Sequence, residues 1–207
     1  MVRPDRFLTD DDRKRVLDAV KDAESRTAGE IRVLVVGRSM RRRILAPLLI
    51  GAVTGTLAYI RYYSWTWGHP GMLGVYVALA LGLVTALILI WAIPGTRKEK
   101  RGAVWRRAKR EFDRLGIGKT AGATGVLVMF SLWEREAVVL ADKAINEKVA
   151  PDTWARHVKV LIDAVKAGRP GEGIAAAVKE IGAILAQHFP RRPDDVNELP
   201  DEVETRQ

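Results

Sequence analysis

Five residues stand where the chain enters or leaves β-type segments: Thr27, Glu30, Thr120, Thr124 and Asp142. Glu30 directly precedes the β-branched run Ile31–Val36, expected to be buried on both faces from Val33 onward. Thr120 and Thr124 precede a second run, Gly125–Leu132, and Asp142 follows a third, Ala137–Ala141. The turn Trp133-Glu134-Arg135-Glu136 is short, so the second and third runs should be antiparallel neighbours. A strand, a long crossover and a second strand favour a parallel pairing of the first two. That topology brings Glu30, Thr120, Thr124 and Asp142 to one edge of a small sheet, with Glu24 and Thr27 in the preceding turn. Carboxylates beside hydroxyl and backbone oxygens suit a hard cation, Ca²⁺ or Mg²⁺. Glu30, Asp142 and Thr120 are therefore the metal candidates. The same residues also fit structural duties: Glu30 pairing with an arginine, Thr27 capping a turn, Asp142 capping the loop at Lys143–Asn146.

Other chemistries have little support. Gly118-Lys119-Thr120 ends like a phosphate-binding loop, but the first glycine of that motif would be Asp113. The segment also runs from helix to strand, the reverse of a P-loop, so no nucleotide is expected. The serines Ser25, Ser39, Ser64 and Ser131 occupy no Gly-x-Ser-x-Gly setting. His69 lies in a turn, while His157 and His188 fall on helices without adjacent ligands and read as surface or helix-end residues. There is no cysteine, which removes thiolate catalysis, disulfides and thiolate metal sites. No catalytic residue is assigned, and any hydrolase here would rest on the metal and the carboxylates.

The elements that must position these residues are interrupted. From Ile44 to Pro94 the only charged residue is Arg61. Two membrane-length helices are expected there, at about 44–62 and 71–94, joined by the turn Gly68-His69-Pro70-Gly71. Arg61 can snorkel, and Tyr62, Tyr63, Trp65 and Trp67 suit the headgroup level. Gly51, Gly55 and Ala58 offer a close helix–helix face. The formal net charge of +9 is concentrated at the flanks of this hairpin. Arg38, Arg41, Arg42 and Arg43 precede it, and Arg97–Arg110 holds Arg97, Lys98, Lys100, Arg101, Arg106 and Arg107 among its basic residues. A collar of this kind is the positive-inside pattern of a membrane protein, not a nucleic-acid footprint, and it places both flanks in the cytoplasm. The same cluster also admits anionic-lipid binding as an alternative. The opening Met-Val-Arg-Pro-Asp-Arg-Phe has no apolar core, so no secretory leader is expected.

Outside the hairpin the periodicity predicts a compact α/β unit. Thr9 followed by Asp10, Asp11 and Asp12 starts a helix with Val16, Leu17, Val20 and Ala23 inward. Gly102–Leu115 reads as a basic helix with Val104, Trp105, Ala108, Phe112 and Leu115 on its apolar stripe. Pro151 and Asp152 open a helix carrying Trp154, Val158, Leu161 and Val165, closed near Gly168, and Gly171–His188 is the last helix. Trp105 and Trp133 fit the core or its edge better than an exposed contact, although a bilayer or partner contact is open to them. Residues 190–207 are acidic and proline-containing and read as a mobile or peripheral tail.

Several of these stretches together resemble the TPM domain family. They are Phe7-Leu8-Thr9, Glu24 to Val33, Leu115-Gly116 to Thr120, Gly125 to Met129, Ala141-Asp142, Gly182 to Pro190, and Asp195-Val-Asn-Glu-Leu-Pro200. The resemblance implies a three-layer α/β/α sandwich with a small mixed sheet, here interrupted by a two-helix transmembrane hairpin. It implies a discontinuous domain of residues 1–37 and 97–189, a membrane segment at 38–96, and a tail at 190–207. It also implies roles around membrane complexes, as in thylakoid proteins linked to photosystem II repair and an accessory protein of acetylcholine receptors. Acid phosphatase activity or divalent-cation binding belongs to some members. Relatives usually carry an Arg-Asn-Gly-type turn where this chain has Ala123-Thr124-Gly125, and many hold the domain outside the cytoplasm. The expectation is a non-enzymatic protein of the bacterial cytoplasmic membrane with both termini cytoplasmic. Its partners would be the lipid bilayer and a membrane protein complex. A cation-dependent phosphatase is the alternative enzyme.

Overall fold

A computed structural model describes residues 4–40, 45–65, 72–92, 96–150, 153–191, 197–200 and 202–206. Packing divides the chain into two units, Met1–Met40 with Arg97–Gln207, and Arg41–Thr96.

The first unit is a mixed α/β fold. Thr9 starts helix α1 (Asp10–Glu24) through a capping box. Its hydroxyl accepts from the Asp12 N–H at 3.1 Å, and the Asp12 carboxylate accepts from the Thr9 N–H at 3.2 Å. Strand β1 (Glu30–Val36) follows, buried along its whole length as its apolar run predicts. After the second unit come helix α4 (Arg97–Arg114), β2 (Gly125–Ser131), β3 (Glu136–Ala141), α5 (Lys143–Lys148), α6 (Thr153–Lys166), α7 (Pro170–His188) and β4 (Val203–Arg206). The sheet order is β3-β2-β1-β4. β1 pairs parallel with β2, Glu30 opposite Gly125, and β2 pairs antiparallel with β3, as the spacing requires.

Alternation along β1 and β2 builds two apolar clusters. Ile31, Val33 and Val35 with Val126, Val128 and Phe130 meet α1, α6 and α7, while Phe7 stacks on Phe130 at 5.5 Å. Leu34, Val36, Leu127 and Met129 meet Val104 and Ala108 of α4 together with Ile117. Helices therefore cover both faces of the sheet, which is why β1 from Val33 onward and β2 as far as Phe130 carry no alternating polar residues.

Three expectations are corrected. The C-terminal segment is not a mobile tail: β4 lies parallel to β1 and pairs Val203 with Val33 through Arg206 with Val36. His157 is not at the surface. It is 5% exposed on α6, and its Nδ1 meets the Glu180 carboxylate of α7. Trp105 and Trp133 are not core residues, at 50% and 42% exposed. Trp105 escapes the apolar stripe because α4 seats a narrower face, Ala103, Val104, Ala108 and Glu111, on the sheet.

The second unit is a pair of packed helices, α2 (Leu45–Trp65) and α3 (Met72–Ala92). Gly51 and Gly55 of α2 lie against Ala78, Gly82 and Ala86 of α3, close enough that a side chain at Gly82 would meet the Gly51 carbonyl at 2.7 Å. Such an approach needs residues without a Cβ. Among the described residues one helix, Met72–Ile90, is long and apolar enough to cross a membrane, with only 22% of it buried. α2 is less apolar, since it carries Arg61, Thr54, Thr56 and Ser64. The turn at residues 68–71, Arg41, Arg42, Arg43 and Trp67, and the side chain of Trp65 lie outside the described residues.

Candidate functional site

The sheet has two functional-looking ends. At the first, β1 and β2 begin and β3 finishes. Glu30 is buried there, and one carboxylate oxygen accepts the Glu198 N–H at 3.1 Å. Glu24, at the end of α1, accepts the Ile31 N–H at 2.9 Å. The Thr27 hydroxyl donates to the Phe189 carbonyl at 2.6 Å and accepts from the Gly29 N–H at 3.1 Å. Thr124 donates to the Ala28 carbonyl at 2.8 Å, and the Thr120 hydroxyl accepts the Thr124 N–H at 3.2 Å. Each group closes a turn whose backbone would otherwise bury an unpaired donor or acceptor.

The carboxylates separate into two places. Glu24, Thr27 and Glu30 line a cleft of about 200 Å³ with Lys21, Arg191 and Asn197. Asp142 is not among its lining residues. Its backbone N–H donates to the Gly125 carbonyl at 2.9 Å, and its side chain accepts the Lys143 N–H at 2.6 Å, capping α5. Glu30 and Asp142 thus lie on opposite sides of Gly125, the residue that opens β2, and Asp142 carries out the structural duty its position allowed. Among the described residues, no three His, Cys, Asp or Glu side chains gather as a metal-holding group. The cleft joins a carboxylate pair to cationic and amide groups, a mixed lining suited to a polar ligand bearing both acceptors and donors.

Sequence reasoning missed the C-terminal contributors. Asn197 lines the cleft, Glu198 meets both Glu30 and the Ala121 N–H at 3.1 Å, and Arg32 donates to the Pro200 carbonyl and to Glu202 at 2.9 Å. The signal that could have found them was the stretch from Asp195 to Pro200. It contributed to the family resemblance although its composition reads as a tail.

The opposite end of the sheet is basic and aromatic. The Arg38 guanidinium lies over the Trp133 ring at 4.9 Å, and Arg107 donates to the Arg38 carbonyl. Burial is the largest influence on Arg107 and moves its pKa below the ordinary arginine value, although the Glu111 carboxylate opposes this. Arg97 and Arg101 reach the buried Glu136 at 3.8 and 3.4 Å. Lys98 and Arg106 are exposed, and Lys100 is half-buried. The ammonium of Lys109 lies 5.8 Å from the Trp105 ring. Both exposed tryptophans are thus accompanied by cations.

Comparison with known proteins supports the family. No curated protein matches the chain. Among solved structures, the NMR structure of the BA42 protein from the psychrophilic bacterium Bizionia argentinensis is similar, with a TM-score of 0.61 and 24% sequence identity over 96% of this chain and 95% of that one. At that identity the likeness is one of fold. Residues 86–184 match the TPM domain model. They run from the end of α3 into α7, through α4, β2 and β3, and this stretch of the chain carries a TPM domain.

Proposed function

We propose that this chain holds a TPM domain on the cytoplasmic face of a membrane, tethered by the α2–α3 hairpin, and that the domain binds and helps maintain a membrane protein complex. The observation that carries the reading is the character of α3. Its large apolar residues, among them Leu73, Leu79, Leu83, Leu87 and Ile88, are exposed on more than one side of the helix. A core helix of a soluble protein hides such residues, whereas lipid solvates them. The insertion falls between β1 and α4, so the tether is internal to the domain's own crossover. The basic flanks support the cytoplasmic orientation.

The test is extraction and capture. The chain should remain in the membrane pellet after alkaline carbonate washing and should enrich specific membrane proteins on affinity purification from native membranes. Release by carbonate would remove the tether, and a purification that yields the chain alone would remove the complex.

The cleft at Glu30 favours a second reading, cation-dependent hydrolysis of a phosphomonoester. Glu24 and Glu30 could meet Ca²⁺ or Mg²⁺ there, and Lys21 and Arg191 could meet phosphate. Purified chain should then hydrolyse a generic phosphomonoester only with added metal and lose this in Glu30→Gln. No turnover under any metal would end this reading.

A further inference from the structure

We infer that the outward face of α4 is a docking surface for an anionic phospholipid bilayer, an inference that rests on the membrane tether proposed above. α4 turns Val104, Ala108 and Glu111 to the sheet, so its other side faces solvent. Lys98, Arg101, Trp105 and Lys109 follow at spacings of three, four and four, which places them on one stripe of that side. All four are exposed, and so are Arg106 and Arg110.

The charge on this face is net positive. Lys98, Arg106, Lys109 and Arg110 have no ion pair among the described residues. Two acids share this face, Glu99 and the exposed Asp113, against Lys98, Arg101, Arg106, Lys109 and Arg110, while Glu111 is buried with Arg107 and Arg114, and Glu136 is buried with Arg97 and Arg101. An ordinary soluble face mixes both signs. A face with five cations against two acids, carrying an exposed indole, matches the helix type that lies in a headgroup layer, where the cations meet lipid phosphate and the ring sits at the acyl boundary. Trp133 with Arg38 over its ring adds a second such group within the same unit. The sequence favours lipid over an acidic protein as occupant, because only four residues separate the end of α3 at Ala92 from Arg97.

The full chain, reconstituted into nanodiscs of phosphatidylcholine alone or mixed with phosphatidylglycerol, tests this. Acetylation of Lys98 is read by mass spectrometry and normalised to Lys14 on α1. Phosphatidylglycerol should lower Lys98 labelling roughly fivefold, the ratio equivalent to about 1 kcal/mol for a basic residue at an anionic surface. About 0.5 M salt should abolish the difference by screening. Arg106→Glu with Lys109→Glu should abolish it too, while Arg106→Lys with Lys109→Arg should keep it. Equal labelling of Lys98 in both discs, with the chain incorporated, would overturn the lipid surface and leave the tether standing. Protection seen in native membranes and in neither disc would assign the face to a protein and overturn the proposal. A chain that fails to incorporate at all would remove the tether, and this inference with it.

Discussion

Ala123 and Arg135 are the non-glycine residues held at positive φ among the described residues, and Ala123 is the one that borders the candidate cleft's sheet end. It sits at φ 51° in the turn that leads into β2, a left-handed conformation that costs an L-residue with a Cβ about 1–2 kcal/mol. The turn is fixed from both sides: the Ala123 N–H donates to the Thr120 carbonyl at 3.0 Å, and the Thr124 carbonyl accepts the Glu30 N–H at 3.2 Å. The conformation is therefore imposed by the sheet end, and the side chain bears the strain. Glycine removes the Cβ conflict but loosens the unfolded chain, so the two effects partly offset. Ala123→Gly should stabilise the protein by about 1 kcal/mol net. The check is the urea or thermal midpoint, and an unchanged or lower midpoint would mean that the turn is not held left-handed. The turn also borders Glu30 through the Thr124 carbonyl. Sequence comparison with the family had marked this triplet as unusual, but only the backbone angle shows what the departure costs.

Among the elements, β4 was the hardest to read. Val203-Glu-Thr-Arg206 is short, polar and preceded by Pro200-Asp-Glu202, all signs of a tail. What makes it a strand lies far away in the sequence. Arg32 on β1 reaches Glu202 and Glu204, and Arg114 on α4 reaches Glu204 at 3.0 Å. An edge strand can be polar because one of its edges faces solvent, so neither periodicity nor propensity announces it. β1, β2 and β3 were legible for the opposite reason: their apolar runs and the short turn after β2 are local signals. The convergence of Glu30 and Asp142 was inferred from the right strand order. It failed on lateral spacing, because β2 stands between them, and strand order alone does not show that. β4 also carries a pH dependence. Burial alone would raise the Glu204 pKa, but the hydrogen bond from Arg206 and the charge and hydrogen bond of Arg114 outweigh it and hold the carboxyl below its ordinary value. A depressed folded pKa stabilises the folded strand above the ordinary glutamate value, and that stabilisation is lost as pH falls through the folded pKa. Hydrogen-exchange protection of β4 should therefore fall before that of β1 as pH drops below about 4. Glu204→Gln should flatten this difference, and parallel loss in the two strands would contradict it.

At the scale of the whole molecule, the first unit is assembled from two stretches of chain separated by an insertion, and the β2–β3 turn fastens both. Glu134 is 5% exposed and accepts the Ser39 N–H at 3.0 Å and the Met40 N–H at 2.9 Å, the last described residues before the insertion. It also accepts the Ser131 hydroxyl, which itself meets the Ser39 hydroxyl at 2.8 Å. Glu136, two residues on, takes Arg97 and Arg101 at the start of α4, where the chain returns. Glu134 in the turn and Glu136 at the start of β3 thus hold the departing segment and the returning helix of the crossover, which turns a discontinuous sequence into a continuous fold. The partners of Glu134 are some 95 residues away in the chain, so the sequence showed only a hairpin turn. The two acids should differ in weight. Glu136 meets arginines that are largely exposed, where ion pairs contribute about 0–1 kcal/mol. Glu134 satisfies two backbone amides and a hydroxyl in a buried setting, where losing charged hydrogen bonds costs about 1.5–3 kcal/mol each before water and relaxation recover part of it. Glu134→Ala should therefore destabilise the domain by about 2–4 kcal/mol, and Glu136→Ala by under about 1 kcal/mol. Glu134→Gln should fall between Glu134→Ala and the parent, since an amide keeps one acceptor and loses the charge. Urea unfolding of the detergent-solubilised chain, followed by the near-ultraviolet signal, measures all three. Equal and small losses would show that the crossover closes through apolar packing alone, with the turn a bystander.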